Sequence, residues 1–214
     1  MESSPSDLFY RMLFDRVLPD SVRRRLYADQ NRVSEGKSAV LSLFEKEVQE
    51  VDLHRKSDRI CHLHNKFSVC DHYLWWNYRW TRAYELEMAA PFLMPKLRRF
   101  MESLRQPFWP PRDESVQKTL ARHVAATVMP DEIAYSEKIA QTAPLWVWFR
   151  GPLYSLLQEY LRPSKVQEDG LFDAEVVKQE VKKHVSGTGN QPYLVWSLLC
   201  FMVWKRTFLE SNDF

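Results

Sequence analysis

The chain has 214 residues, 45% of them apolar, and its 30 basic and 28 acidic residues leave a formal net charge of +2. That balance gives no electrostatic reason to expect nucleic acid or an anionic membrane as the main partner. The length fits one ordinary hydrophobic core, or a core with a small appendage.

Five glycines and eight tryptophans favour helices over turn-rich β structure. Three widely spread cysteines make no disulfide framework and point to a reducing, cytoplasmic compartment. The N-terminal stretch MESSPSDLFYRMLF has no charged region followed by an apolar one, so no secretory signal is expected there. Next along the chain, Leu8, Met12, Leu13 and Val17 fall at the spacing of one helix face. Val40, Leu43, Phe44, Val48 and Val51 repeat that spacing. DHYLWWNYRWTRAYELEM, residues 71–88, is apolar almost all round, which predicts a buried central helix. A further helix is expected after Pro91 and Pro95, and three prolines near 107–111 then break the pattern as a loop inside one domain. Val116, Leu120, Val124 and Val128 share one face of a helix that Pro130 ends. LWVWFRGPLYSLLQEYL and DAEVVKQEVKKHV read as two amphipathic helices, and the loop SGTGNQP precedes a final apolar helix over 192–209. The apolar core of that last helix, Leu194–Trp204, contains Ser197 and is about half of the roughly 20 residues a membrane span needs, so a buried helix is expected. No strand alternation stands out. The fold class is therefore all-α, with an N-terminal helical segment over 1–54 and a helical region over 55–214 in one domain overall.

Two clusters invite a chemical reading. Cys61, His62, His64, Cys70 and His72 supply zinc-type ligand atoms within twelve residues, but the spacing suits neither a ribbon nor a finger, and no metal site is expected. The aromatic run YLWWNYRW reads as core rather than as a stacking platform, with Arg79 and Arg82 one turn apart and Arg82 in reach of Glu85. Lys118 and Arg122, at i and i+4, read by spacing alone as a solvated basic face. The five glycines bracket no phosphate-cradling turn.

Several stretches together resemble the C-terminal half of the asparagine synthetase superfamily, which includes β-lactam synthetases and lasso-peptide cyclases. The family commonly reads Leu-Glu-x-Arg-x-Pro-Phe-Leu-Asp, and here LEMAAPFLM matches at Leu86, Glu87, Pro91, Phe92 and Leu93. Its next stretch is Lys-x-x-x-Arg, then Leu-Pro, then a Lys eight residues after the Pro; Lys118, Arg122, Met129-Pro130 and Lys138 fall in those places without a gap. WFRGPLYSLLQEYL, GLFDAEVVKQEVKKHVSG and VWSLLCFMVWKRTFLE look like the family's closing helices, so the likeness covers roughly residues 55–210. The resemblance implies that an ATP-dependent synthetase adenylates a carboxylate, which an amine then attacks. It makes Lys138 the candidate catalytic residue, a compact charge near the α-phosphate and the tetrahedral oxyanion. Lys118, Arg122 and Arg79 become the candidate nucleotide-binding residues.

The departures are specific. Ala89 and Met94 stand where the family has Arg and Asp, Tyr78 stands where an Asp often precedes the first Arg of the central helix, and the Phe often found after the loop Lys is absent. The family's Ser-Gly-Gly-x-Asp-Ser pyrophosphatase loop and glutaminase half are also absent from this sequence. The expectation is a helical C-terminal part that binds no ATP or Mg2+ alone and meets them only with a partner that carries the loop. Self-association is the other expected contact. A non-catalytic interaction module and a truncated remnant remain the alternatives.

Overall fold

In the computed structural model of the chain, the residues described are 3–15, 17–104, 118–137, 139, 143–189 and 191–210. Among them no strand forms, and the only sheet-like pairing is an isolated antiparallel bridge between Tyr27 and Phe172. The chain is all-α, as its composition predicted. It divides into two compact units, one of Met1–Leu63 with Thr142–Phe214 and one of His64–Gln141.

In chain order the α-helices are α1 (Pro5–Tyr10), α2 (Asp20–Leu26), α3 (Gln30–Gln49), α4 (Lys56–Leu63), α5 (Trp75–Ala83), α6 (Pro95–Ser103) and α7 (Thr119–Ala126). They continue as α8 (Asp131–Ala134), α9 (Leu145–Trp148), α10 (Tyr154–Tyr160), α11 (Pro163–Asp169), α12 (Ala174–Ser186) and α13 (Pro192–Lys205). Wider π-helical turns cover Arg11–Asp15, His64–Leu74 and Arg206–Glu210.

The first unit is built on local capping and one core. Ser4 caps α1 by accepting from the Asp7 amide at 3.1 Å, Asp29 caps α3 through the Asn31 amide at 2.9 Å, and Asp173 caps α12 through the amides of Glu175 and Val176. Each cap satisfies an amide the helix itself leaves open. The main core joins Val22 and Leu26 of α2 to Leu145, Phe149, Leu157, Val166, Val177 and the buried side of α13. A second patch packs Phe9 against Phe44, ring centroids 5.0 Å apart, beside Leu63. The α1 face that is buried is Phe9 and Tyr10 rather than the Leu8–Met12 stripe expected; Met12 is exposed, because the chain widens into a π turn at Arg11 and leaves the 3.6-residue period. Arg23 is buried and charge-paired: Nη2 donates to Asp15 Oδ1 at 2.9 Å and to the Leu18 carbonyl at 2.8 Å, and Nη1 donates to the Tyr10 hydroxyl. The stretch expected as one helix over 145–161 is two, because Gly151-Pro152 interrupts it between α9 and α10.

The expected loop after α12 is present and is closed by a left-handed glycine. Gly187, at φ +84°, donates to the His184 carbonyl, and the amides of Thr188 and Gly189 both reach the Lys183 carbonyl. A Cβ at Gly187 would stand 2.7 Å from Arg150 Nη2 and in a backbone region that disfavours side chains. Gly187→Ala should therefore lower stability by about 1–2 kcal/mol. Urea unfolding of the two proteins reads this directly, and an unchanged midpoint would count against this cap.

His184, buried at the end of α12, stacks edge-on to Phe149 with centroids 5.3 Å apart, and its carbonyl accepts from Arg150 at 3.3 Å. Burial holds its pKa below the ordinary 6.5; the Leu145 backbone opposes this, and the nearby Arg150 charge adds to it. The folded state thus binds fewer protons than the unfolded one at this group, so its contribution to stability is full above pH 6.5 and is lost as pH falls below it. The unfolding midpoint should drop between pH 7.5 and 5.5, and His184→Leu should flatten that drop. An equal pH dependence in both proteins would remove His184 as its source.

The second unit differs. Of its described residues only Ser68 and Ala134 are buried. The predicted central helix is present as α5, but among the described residues its burial is corrected: Trp75, Trp76, Tyr78 and Trp80 are 47–60% exposed, because no other described element of the unit covers them. Arg79 and Arg82, expected in a buried setting, are exposed too. Val124 of α7 and Val128, just after it, are likewise exposed. The predicted 192–209 helix is buried on one side only, through Leu194, Val195, Leu198, Leu199 and Met202, while Trp196 and Trp204 face outward. Val116 and the proline break at 107–111 lie outside the described residues. Among the described residues no helix is long and apolar enough to cross a membrane.

Candidate functional site

The candidate residues that the structure describes all belong to the unit of His64–Gln141. Arg79 lies on α5, where Thr81 and Asn77 return side-chain hydrogen bonds to the preceding turn. Its guanidinium carbon stands 4.8 Å from the centre of the Trp75 ring, a cation–π contact of the kind worth about 0.5–1 kcal/mol at an exposed site. The helix ends at Tyr84, and Glu85, at φ +54°, takes the left-handed position where glycine is usual, with the Leu86 amide turning back to the Thr81 carbonyl at 2.8 Å. From there the family-matching residues run exposed: Leu86, Phe92 and Leu93 all face outward, and Pro91–Leu93 form a 3₁₀ turn before α6.

Lys118 and Arg122 sit one turn apart. Lys118 precedes α7 in a left-handed conformation, φ +61° and ψ +34°, which side chains with a Cβ seldom adopt. Its carbonyl accepts from the Arg122 amide at 2.9 Å and so starts the helix. Pro130 stops the chain after α7, and α8 begins at once with Asp131 and Glu132 in its first turn, where the helix dipole favours acids. The two helices pack together. Across that hairpin Arg122 Nη1 donates to the Ser136 carbonyl at 2.8 Å and lies 3.4 Å from the Ala134 carbonyl. The neighbouring His123 ring meets Tyr135 edge-on at 5.9 Å, and Ser136 Oγ donates to the Ile133 carbonyl at 2.9 Å. Arg122 thus holds the backbone just after α8. Lys138, two residues further on, lies outside the described residues.

The cysteine–histidine cluster is dispersed. His62 Nε2 pairs with Glu47 Oε1 at 3.0 Å, and His72 meets the Tyr73 ring edge-on. Among the described residues no group of three or more His, Cys, Asp or Glu is placed to hold a metal ion.

One feature of the first unit escaped the sequence reading. An open apolar cavity of about 650 Å³ is lined by Trp148, Leu153, Trp196, Cys200, Trp204 and Phe208, among others. Its signal is the run Trp196, Cys200, Trp204, Phe208 at steps of four, which gives α13 and the turn after it a second apolar face. Although Cys200 is exposed on the cavity wall, partial desolvation by its apolar neighbours raises its thiol above the ordinary pKa.

Comparison with known proteins places these helices. The family model for asparagine synthase matches residues 11–206. A protein described as a putative asparagine synthetase (glutamine-hydrolyzing), from Mycobacterium tuberculosis, is 26% identical over 133 residues, covering 62% of this chain and 20% of the relative. The protein of the same description from Mycobacterium bovis is 26% identical over the same length and shares. Asparagine synthetase (glutamine-hydrolyzing) 1 of Bacillus subtilis is 22% identical over 132 residues, again 62% of this chain and 20% of the relative. The chain therefore spans about a fifth of the length of the curated relatives it matches. No solved structure matches it significantly.

Proposed function

The chain belongs to the asparagine synthase family, and from that premise we propose that it supplies the helical part of an ATP-dependent amide-forming synthetase. The observation that carries this reading is the family match over residues 11–206, together with 133 residues aligned to relatives of which they make up 20%. The sequence holds no Ser-Gly-Gly-x-Asp-Ser loop, and its described residues offer no carboxylate cluster for Mg2+. On these grounds the nucleotide and its metal belong to a part outside these 214 residues, either another stretch of a longer polypeptide or a second chain.

Three roles fall to this chain's own residues. Lys138 supplies a positive charge where charge grows on the phosphoryl group and then on the tetrahedral oxyanion. Lys118 and Arg79 offer further cations to the nucleotide. Arg122, through its bonds to the Ala134 and Ser136 carbonyls, orders the backbone leading to Lys138. A second reading, a non-catalytic interaction module, is favoured by Ala89 and Met94, which replace the family's Arg and Asp.

The deciding experiment is ATP–pyrophosphate exchange. The isolated chain should show none, and the chain combined with a part that carries the pyrophosphatase loop should show it. Exchange by the chain alone would refute the two-part reading. A combined preparation that forms a complex yet exchanges nothing would favour the interaction module.

A further inference from the structure

α9 is a weakly held element of its unit. It has four residues, far below the length at which a helix is stable in water without packing. Trp146, Val147 and Trp148 are exposed, and Leu145 and the C-cap residue Phe149 pin it to the core. Gly151-Pro152 separates it from α10. Past its C-terminus, the Phe149 ring meets His184 edge-on at 5.3 Å, and the Arg150 guanidinium donates to the His184 carbonyl at 3.3 Å. The same guanidinium lies against Gly187, where a Cβ would stand 2.7 Å from Nη2. α12 is built differently: it has 13 residues, the Asp173 cap at its start, the Gly187 turn at its end, and Val177 and Val181 in the core. Short elements with few buried contacts open at lower cost than the unit as a whole.

His184 sits where the end of α9 meets the end of α12. It is 3% exposed, and neither ring nitrogen has a side-chain partner. A proton on the ring would put an unpaired charge in a dry slot, beside the like charge of Arg150. Among the described residues no acid acts on the ring to offset it. On α12 itself Glu180 is tied to Lys183 at 2.8 Å. On α2 and α11, which also pack against α12, Asp20 faces Arg23, Glu168 is tied to Lys165, and Asp169 pairs with Lys205 of α13. The buried side of α13 brings only Leu194, Val195, Leu198, Leu199 and Met202.

We propose that His184 is a proton-operated latch: when its ring takes a proton from solvent, the end of α9, with Phe149 and Arg150, separates from the Gly187 turn while the rest of the unit stays folded. The open joint lets water solvate the imidazolium, so the open form binds the proton more tightly. Opening is therefore promoted as pH falls through the ordinary histidine range. Acid moves this one joint before it unfolds the unit.

The test is amide hydrogen exchange on the full chain at pH 7.5, 6.5 and 5.5, with each rate corrected for the intrinsic pH dependence of exchange. The reporters are the amides of Phe149 and Gly187, which donate to the Leu145 carbonyl at 2.9 Å and the His184 carbonyl at 3.2 Å. Their protection should fall several-fold across that range, while amides in the middle of α3 keep theirs. Equal loss in α3 would mean the whole unit opens, and no loss at Phe149 and Gly187 would mean the joint stays shut; either overturns the latch. His184→Gln, which cannot take the proton, should hold the protection level, and a variant that still loses it with falling pH overturns the proposal as well. The wild-type ring gives a reading that needs no variant. Its NMR signal should titrate in step with the loss of protection, and titration of the ring without that loss counts against the latch.

Discussion

Lys138→Ala should lower ATP–pyrophosphate exchange by the combined two-part enzyme by on the order of 100-fold or more, the usual scale for loss of one preorganised charge stabiliser. Exchange runs the adenylation step forward and back, so it reads charge developing at the phosphoryl group without waiting for the amine. A lysine that acts only there should change the turnover number more than the KM for ATP, because its contribution grows toward the transition state. Arg122→Ala should cost less, and the double variant should be no slower than Lys138→Ala alone, since Arg122 acts on the backbone that leads to Lys138 rather than on the nucleotide. Exchange that survives Lys138→Ala unchanged would return that residue to the role of a solvated surface lysine. Additive losses would instead give Arg122 a direct contact with the nucleotide.

Phe149→Ala should be the most damaging single change to stability, at about 3–5 kcal/mol. Phe149 is fully buried in the main core, edge-on to His184 and 6.2 Å, centroid to centroid, from Trp196. It caps the C-terminus of the short helix α9, which reaches α13 and so joins two parts of the unit far apart in sequence. The cavity left by its ring would be walled by helices held on several sides, so little collapse can offset the loss. Domains are stable by only about 5–15 kcal/mol, so the variant should unfold at markedly lower denaturant, and the Trp196 ring loses its Phe149 neighbour. Urea unfolding followed by tryptophan fluorescence would show it, and a loss under about 1 kcal/mol would contradict the placement of Phe149.

The candidate site was legible in part. Lys118, Arg122, Pro130 and Lys138 were singled out by the order and spacing of family-like motifs; α7, its proline stop and α8 follow that order, and Lys138 lies outside the described residues. What spacing missed is the use of Arg122. Its partners are carbonyls 12 and 14 residues away, beyond the reach of any i,i+4 rule, and they meet it only because the α7–α8 hairpin folds back. The lone signal for the cavity beside α13 was a tryptophan repeat that the all-apolar character of the helix masked.

The sequence by itself determined the helical class, most of the helix positions and the family. Those rest on local facts: the 3.6-residue period, caps such as Asp173, breaks such as Pro130, and the order of short motifs. Only the tertiary structure decided which apolar faces are covered. The pattern at 192–209 and the pattern at 71–88 both predict a surrounded helix, yet the first is packed on one side and α5 is bare. The reason is physical. Periodicity records that a face must leave water, but burial requires a second surface opposite it. For α13 that surface comes from α9, α10 and α12, whereas for α5 the described residues provide none.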